Sequence, residues 1–343
     1  MASLILNGDT LRVNLVSKRV EVMQRIYDKN GERQVTSQVP LYAIERVVVV
    51  GRPTVTLPVL TRFLDEGIPC FFVTRYGRWR GSMLPDKNRN AGRRIRQYER
   101  GTEGEFAVGV AQRLIYAKIR NSRRVLQRLA ANRECSSAPE QVSVTDDLKE
   151  LAVMARSATT VDMIRGYEGM AAALYFERLG DFFPDSLPFT NRNRRPPRDP
   201  ANALLSFAYT ILLGEVEGAV RSRGLDAGIG CLHCDTINTP SLALDLMEPL
   251  RPALADLLVL NIVNHNMVKA EADFEVNAED GGTYLNETGR KVFFLMYEQA
   301  MTRRFAIAKG EPHTDLRRVI EEQINIYLRM LEQDTYDDFF LLP

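Results

Sequence analysis

The sequence has little cysteine and no long uninterrupted apolar segment. Only 4 of its 343 residues are Cys, too few for a disulfide-stapled fold, which indicates a reducing, cytoplasmic setting. The longest apolar stretch, residues 242–263, is interrupted by Asp245, Glu248, Arg251 and Asp256, and burying those charges in a bilayer would be costly. The first residues show no basic stretch followed by an apolar core, so we expect no signal peptide and no membrane association.

Several widespread catalytic motifs are also absent. The chain contains no P-loop, no dinucleotide fingerprint, no G-x-S-x-G and no H-E-x-x-H. Cys231 and Cys234 form a C-x-x-C, but a structural zinc would need a second pair of ligands, and a thioredoxin-like motif would need a βαβ unit. We therefore interpret both cysteines as small packing residues.

The charge of the chain is distributed unevenly. Its formal net charge is only +1, yet residues 86–128 hold twelve basic and four acidic residues, a local charge of +8. The last thirteen residues, 331–343, carry four acids and no base. A basic face is typical of a protein that binds a polyanion; the alternative is a solvated helix face.

Hydrophobic periodicity divides the chain into two parts. Residues 1–85 show alternation typical of strands, with an expected hairpin turn at Asn30-Gly31 and one short helix over residues 57–66. From about Arg93 the period becomes helical, with Phe106, Val110 and Leu114 four apart. The sequence thus predicts an α+β fold of two domains, a small N-terminal β domain (1–85) and a larger all-α domain (86–343).

The helical part also yields expectations for individual elements. The polar segment 132–145 predicts a loop, and Thr145 and Thr160 are expected to be the N-caps of the next two helices. Residues 201–217, 242–263, 289–308 and 316–331 predict further helices.

Glu168 lies in an unusual helical segment, between Gly166 and Gly169. Two glycines in a helix cost about 1 kcal/mol each relative to alanine, so something is expected to approach this backbone closely. Either a neighbouring helix or a bound ion with its substrate would satisfy that expectation.

His233 is one of three histidines, and Glu248 follows it by fifteen residues. Asp245 and Glu248 are three apart, which places both carboxylates on one face of a helix. One imidazole with two or three carboxylates suits Mg²⁺ or Mn²⁺. Alternatively Arg251, one further step along that face, neutralises part of the charge.

A loop with four arginines precedes the helix at 201–217. Two prolines hold it extended, and arginines in a stiff loop suit forked contacts with phosphate. A solvated connector is the alternative. The arginines are Arg192, Arg194, Arg195 and Arg198.

These motifs in this order resemble CRISPR-associated protein one, the integrase and endonuclease family of CRISPR adaptation. The resemblance rests on Gly-Tyr-Glu168-Gly, on the Arg-Arg-Pro-Pro loop leading into Asn-Ala-Leu-Leu-Ser-Phe, on Gly-Cys-Leu-His233, and on Ser-Leu-Ala-Leu-Asp-Leu-Met-Glu248. It implies a single divalent ion, Mg²⁺ or Mn²⁺, held by Glu168, His233 and Glu248. It places Asp245, Asn202 and Tyr209 around those ligands.

The resemblance also implies an activity and its partners. The 3′-hydroxyl of a short double-stranded DNA, the prespacer, would attack a phosphodiester at the leader–repeat junction of a CRISPR array, with Arg192, Arg194, Arg195, Arg198 and Arg251 contacting DNA. A homodimer bound to CRISPR-associated protein two is implied. A metal-dependent nuclease acting on branched DNA in repair, or a non-catalytic DNA-binding scaffold, are the alternatives.

Overall fold

The N-terminal part of the chain forms two four-stranded sheets and one helix. The computed structural model describes residues 2–28, 31–85, 90–101, 103–133, 135, 137–193, 195–233, 239–307 and 311–343. The elements of this part are β1 (Ala2–Asn7), β2 (Leu11–Val16), β3 (Arg19–Asp28), β4 (Gly31–Pro40), β5 (Ile44–Val50), β6 (Thr54–Val55), α1 (Leu57–Glu66), β7 (Cys70–Val73) and β8 (Trp79–Met83).

One sheet has the order β1-β5-β7-β8, and the other has the order β4-β3-β2-β6. In the first sheet β1, β5 and β7 are parallel and β8 is antiparallel. Strand β5 separates two hydrophobic cores. Val47 and Val49 pack with the N-terminal residues, whereas Val48 and Val50 pack against the helices, because successive side chains of a strand point to opposite faces.

The remainder of the chain is mostly helical and includes one hairpin. Its elements are α2 (Ala91–Gly101), α3 (Gly104–Asn132), α4 (Pro139–Ser157), α5 (Val161–Gly180), α6 (Pro200–Ser222), α7 (Ser241–Met247), a π-helical segment (Arg251–Asp256), α8 (Leu257–Asn264), α9 (Ala270–Asp273), β9 (Phe274–Val276), β10 (Thr283–Leu285), α10 (Glu287–Thr302) and α11 (Leu316–Gln333). The α+β class is confirmed, but the all-α description of this part is wrong, because β9 and β10 pair. Strands of three residues are too short to show a detectable alternation of apolar and polar residues.

Two local predictions are also wrong, the loop over 132–145 and the N-cap at Thr145, because α4 already begins at Pro139. Gly31 belongs to β4 and pairs with Asp28, whereas Asn30, the other residue of the predicted hairpin turn, lies outside the described residues. Helix α4 begins at Pro139, which suits the first turn of a helix. Thr145 therefore lies inside α4, where its hydroxyl donates to the carbonyl of Val142. Thr160, in contrast, is confirmed as the N-cap of α5 and accepts from the Met163 N–H.

The predicted helix over 242–263 is three segments. Pro249 has no N–H to continue the ladder of α7, and the chain resumes as the π-helical segment before entering α8. Short π-helical segments occur frequently at functional sites. This one begins three residues after Glu248.

Helix α6 is the central helix of the larger core. Among the described residues it is the one helix long and apolar enough to cross a bilayer, but 72% of its most apolar window is buried inside the protein. Burial of this extent is typical of a core helix. Its N-terminus is capped by Asp199, whose carboxylate accepts from the Asn202 N–H.

The acidic C-terminal residues lie on the basic helices. Glu332 pairs with Arg93 at 2.7 Å, Asp334 pairs with Arg100, and the carbonyl of Tyr336 accepts from Arg113. Asp338 and Asp337 pair with Arg156 and Arg329. Part of the predicted basic face is therefore covered by the chain's own acidic segment.

Candidate active site

An open cavity of about 890 Å³ brings together the residues on which the resemblance rests. Glu168 reaches it from α5, His233 from the loop before α7, and Glu248 from the end of α7. Helices α3 and α6 and the π-helical segment complete its wall. Its other charged or hydroxyl-bearing side chains are Lys118, Ser122, Arg165, Tyr175, Glu177, Thr190, Arg192, Tyr209, Arg251 and Asp256.

The two glycines beside Glu168 do not serve helix packing. A Cβ at Gly166 or Gly169 would meet no atom within 4 Å, so the helix-packing interpretation is wrong. Both glycines leave an open helix surface next to the carboxylate. The alternative interpretation, an approach by a bound ion with its substrate, stays a prediction.

His233 is held by Asp245, a fully buried residue of α7. The carboxylate accepts from the backbone N–H groups of Cys231, Leu232 and His233, and it lies 2.7 Å from His233 Nδ1. In the neutral imidazole, the proton on Nδ1 then faces this carboxylate and Nε2 keeps its lone pair. A histidine fixed in this way is pre-oriented as a metal ligand.

The surroundings of His233 favour its charged form. Burial alone would lower the pKa of His233, but the hydrogen bond and charge of Asp245, together with the charge of Glu248, outweigh it and raise that pKa. Arg165 ties the same loop to α5 by donating to the carbonyl of Leu232 from Nε at 3.0 Å.

Glu248 is a buried carboxylate surrounded by cations. Arg251 Nε lies 3.0 Å from Oε1, and Lys118 Nζ lies 2.6 Å from Oε2. Burial would raise the pKa of Glu248, but Arg251, Lys118 and His233 lower it to about 2. Oε2 is buried without a hydrogen bond of acceptable geometry, so its contact with Lys118 is an ion pair.

Lys118 lies between the two carboxylates and was not predicted. Its ammonium pairs with Glu168 as well as Glu248. Burial would lower the pKa of Lys118, but the charges of Glu248 and Glu168 raise it. The sequence does hold a signal, because Lys118 continues the four-residue apolar series Phe106, Val110, Leu114 along α3, and a lysine at a core-facing position requires acidic partners.

The donor set fits a hard or borderline divalent ion. Two carboxylates and an imidazole line one cavity, and carboxylate oxygens with an imidazole nitrogen are donors that such an ion accepts. No group of three or more His, Cys, Asp or Glu side chains within the described ranges is close enough to hold an ion as the side chains stand. The ammonium of Lys118 pairs with both Glu168 and Glu248, so a lysine joins these two carboxylates.

Asp256 is a further buried carboxyl group of the cavity, and the sequence analysis did not assign it to the site. It accepts from Tyr209 Oη at 2.6 Å and from Tyr175 Oη at 2.9 Å. Burial raises the pKa of Asp256 to about 6, although both tyrosine hydrogen bonds act in the opposite direction. The sequence signal for this residue is an acidic side chain within the leucine-rich residues 250–260.

The arginine-rich loop contributes one side chain to this cavity. Arg192 lines it, lies over the Tyr209 ring at 5.3 Å, and donates to Asn202 Oδ1 at 2.6 Å. Tyr209 lines the cavity as the resemblance implies. Asn202 is not among the lining residues; it holds the loop, accepting also from the Asn193 N–H.

The other arginines of the loop lie elsewhere. Arg195 lines a separate cavity of about 560 Å³, and Arg198 donates to the carbonyls of Asp280 and Gly281. Arg194 lies outside the described residues. Arg251 lines the main cavity, lies over the Tyr209 ring at 4.8 Å and pairs with Glu248.

Of the two cysteines interpreted as packing residues, the structure describes one. Cys231 is buried and its N–H is bound by Asp245. Cys234 lies outside the described residues.

Comparison with known proteins gives a consistent result. The family model described as CRISPR associated protein Cas1 matches residues 5–299. A CRISPR-associated endonuclease Cas1 of Thermus thermophilus is 34% identical over 91% of this chain and 90% of its own length. Among solved structures, a casposase bound to its integration product has a TM-score of 0.85 at 21% identity, covering 99% of this chain and 93% of that one.

A partial Cas6-RT-Cas1–Cas2 complex has a TM-score of 0.65 at 25% identity, covering 99% of this chain and 98% of that one. The family model spans most of the chain, and the Thermus relative covers nine-tenths of it. The chain therefore belongs to the CRISPR-associated protein Cas1 family.

Proposed function

We propose that this protein is a divalent-metal-dependent DNA endonuclease and integrase of CRISPR adaptation. It joins the 3′-hydroxyl of a prespacer to a phosphodiester at the leader–repeat junction. The observation that carries this proposal is the convergence of Glu168, His233 and Glu248 on one cavity from three separate segments. Membership of the Cas1 family and a relative named as an endonuclease support it.

Glu168, His233 and Glu248 would hold Mg²⁺ or Mn²⁺. Such an ion supplies Lewis-acid polarisation of the phosphate and stabilises the leaving oxygen, which is worth several kcal/mol. Asp245 keeps the His233 imidazole in the ligand tautomer. The attacking group belongs to the DNA, so the protein needs no serine or cysteine nucleophile.

Arginines would position the DNA. Arg192 is fixed by Asn202 with its guanidinium in the cavity wall, where it can contact a phosphate beside the reacting one. Arg251 balances Glu248 within the site. Arg194, Arg195 and Arg198 would extend the DNA path along the loop.

We further propose a homodimer that binds Cas2 in the cytoplasm. The division into residues 1–85 and 86–343 belongs to this proposal, with the N-terminal part providing the dimer and partner contacts and the helical part providing catalysis. The Cas2 partner is supported by the similarity to the chain from the partial Cas6-RT-Cas1–Cas2 complex.

The test uses Glu248→Gln, which removes the carboxylate charge while keeping the side-chain shape. Purified wild-type protein with Cas2, Mn²⁺ and a prespacer should give strand-transfer products that require a free 3′-hydroxyl. Glu248→Gln should lower the rate at least about 100-fold, because transition-state charge stabilisation of several kcal/mol is lost.

The control is Glu150→Gln, an exposed glutamate on α4, which should retain wild-type activity. Full activity of Glu248→Gln would contradict the metal site. Cutting of branched DNA without any joining would favour the repair nuclease instead.

A further inference from the structure

Lys118 is a charged residue of the cavity to which the proposed reaction gives no role. Its side chain is only 16% exposed, and its ammonium pairs with both Glu168 and Glu248. These are two of the three side chains proposed to hold the divalent ion. The cation that joins them in this structure is therefore part of the protein itself.

An ammonium and a divalent ion cannot both stay between these carboxylates. Mg²⁺ binds oxygen at about 2.0–2.1 Å and requires a nearly regular arrangement of ligands around it. Nζ of Lys118 already lies 2.6 Å from Oε2 of Glu248. Two like charges that share the same small set of oxygens repel strongly in a partly buried site.

Lys118 has a way to leave. Its four-carbon stem is flexible, unlike the planar fork of an arginine, and the cavity it lines holds about 890 Å³. Arg251 stays beside Glu248 through its own contact at 3.0 Å. A released ammonium would face the same space through which the DNA backbone is proposed to pass.

We propose that Lys118 is a built-in counter-cation that holds Glu168 and Glu248 together in the metal-free protein, competes with the divalent ion for them, and is passed to a DNA phosphate when the ion binds. This inference rests on the proposed function and deepens it. Metal and DNA then bind cooperatively. Displacing Lys118 costs free energy, and whichever of the two binds first removes that cost from the binding of the other.

The first test measures Mn²⁺ affinity by calorimetry, or by the electron paramagnetic resonance signal of free Mn²⁺, with protein alone. Lys118→Met removes the competing charge and keeps an unbranched side chain. We expect Lys118→Met to bind Mn²⁺ roughly tenfold more tightly than wild type, since even a partly screened charge of this kind is worth about a factor of ten.

The matched control is Lys291→Met. Lys291 also forms a lysine–glutamate pair, at 2.9 Å from Glu287, but on the exposed surface of α10. Its replacement should leave Mn²⁺ affinity unchanged. Equal or weaker Mn²⁺ binding by Lys118→Met would overturn the competition, and would make Lys118 an organiser of the ligands instead.

A second test needs no variant of Lys118 and so does not depend on its folding. Acetic anhydride labels free lysine amines, and mass spectrometry reads each lysine separately. Mn²⁺ should raise the labelling of Lys118 several-fold in wild type, while Lys291 stays constant. Protection of Lys118, or no change, at Mn²⁺ concentrations that saturate the site would contradict its displacement.

The third test is the coupling with DNA. In wild type, a short duplex should raise Mn²⁺ affinity, and Lys118→Met should make that increase several-fold smaller, leaving the part due to direct contact between the ion and the phosphate. Equal coupling in both proteins would contradict the transfer to phosphate. If wild type and Glu248→Gln bind Mn²⁺ equally, the proposed metal site itself is wrong, and the competition falls with it.

Discussion

Two buried carboxyl groups of the cavity have pKa values displaced in opposite directions. Glu248 is surrounded by Arg251, Lys118 and His233, and despite burial its pKa falls to about 2. Asp256 has two tyrosine hydroxyls as hydrogen-bond donors instead of a cation in direct contact, and burial raises its pKa to about 6. Glu248 is thus ionised at neutral pH, as a ligand requires, whereas Asp256 titrates near the physiological range.

Asp256 should make the stability of the protein depend on pH. The native carboxyl group keeps its proton up to about pH 6, whereas the unfolded chain loses it near 3.8. The native state therefore binds more protons between these values, and stability falls as pH rises through this window. The contribution is at most about 3 kcal/mol.

Asp256→Asn tests this, because an amide does not titrate. The wild-type free energy of unfolding minus that of Asp256→Asn should fall between pH 4 and pH 6 and stay level above it, as measured by urea denaturation. Asp147→Asn, an exposed site on α4, should show no such slope. A difference that rises with pH would contradict the raised pKa.

At the scale of elements, α3 links the cavity to the C-terminal segment. Asn121, one turn after Lys118, is buried and donates to the carbonyls of Pro249 and Phe340 while accepting from the Leu342 N–H. Pro249 directly follows Glu248. One side chain therefore holds the end of α7 and the C-terminal segment on the same helix.

Asn121→Ala should be strongly destabilising. It leaves two carbonyls and one N–H without their partner in a buried place, and an unsatisfied buried group costs about 1–3 kcal/mol. We expect the free energy of unfolding to fall by about 3 kcal/mol, measured by chemical denaturation. Asn261→Ala, an exposed site on α8, serves as control, and a loss below about 1 kcal/mol would show that water replaces the lost bonds.

The elements that were predictable from sequence are those with many periodic residues. Strand β2 follows from alternation, and the long helices α3, α6 and α11 follow from helical periodicity. The three-residue strands β9 and β10 are too short to produce such a signal. The break after α7 arises from Pro249 and a π-helical segment, which periodicity cannot distinguish from a continuous helix.

Some residues of the candidate site were also predictable from sequence, and others were not. Glu168, His233 and Glu248 were assigned from ordered motifs, and the structure places them in one cavity. Lys118 and Asp256 were missed because each is a single charged residue inside an apolar helix pattern, and its partner lies far away in the chain. Only the folded structure shows which carboxylates or tyrosines surround it.

At the scale of the whole molecule, the near-neutral net charge results from acidic and basic regions that pair with each other. The C-terminal acids Glu332, Asp334, Asp337 and Asp338 contact arginines of α2, α4 and α11. The basic face inferred from sequence is therefore partly neutralised by the chain itself. DNA that approaches this face competes with the acidic segment.

Neutralising that segment should strengthen non-specific DNA binding. A variant with Glu332→Gln, Asp334→Asn, Asp337→Asn and Asp338→Asn frees guanidiniums that can replace counterions on DNA. We expect tighter binding at low salt and a steeper fall of affinity with salt concentration, by about one or more additional phosphate contacts. Fluorescence anisotropy of a labelled duplex between 50 and 200 mM salt measures both quantities.

The stability cost should be small, because exposed ion pairs contribute only about 0–1 kcal/mol each. As a control, Glu66→Gln removes the acid of another exposed pair, with Arg62, and should leave the salt slope unchanged. An unchanged salt slope in the four-site variant, with the fold intact, would show that DNA does not use these arginines.

Strand β5 contributes side chains to both hydrophobic cores. Val47 and Val49 pack in one core, and Val48 and Val50 pack in the other. Phe71 and Val73 of the neighbouring β7 line the helical side as well. The N-terminal part therefore cannot be exchanged between homologues as an independent unit. A chimera would succeed only when its donor matches the recipient's helices in the shape of that buried surface.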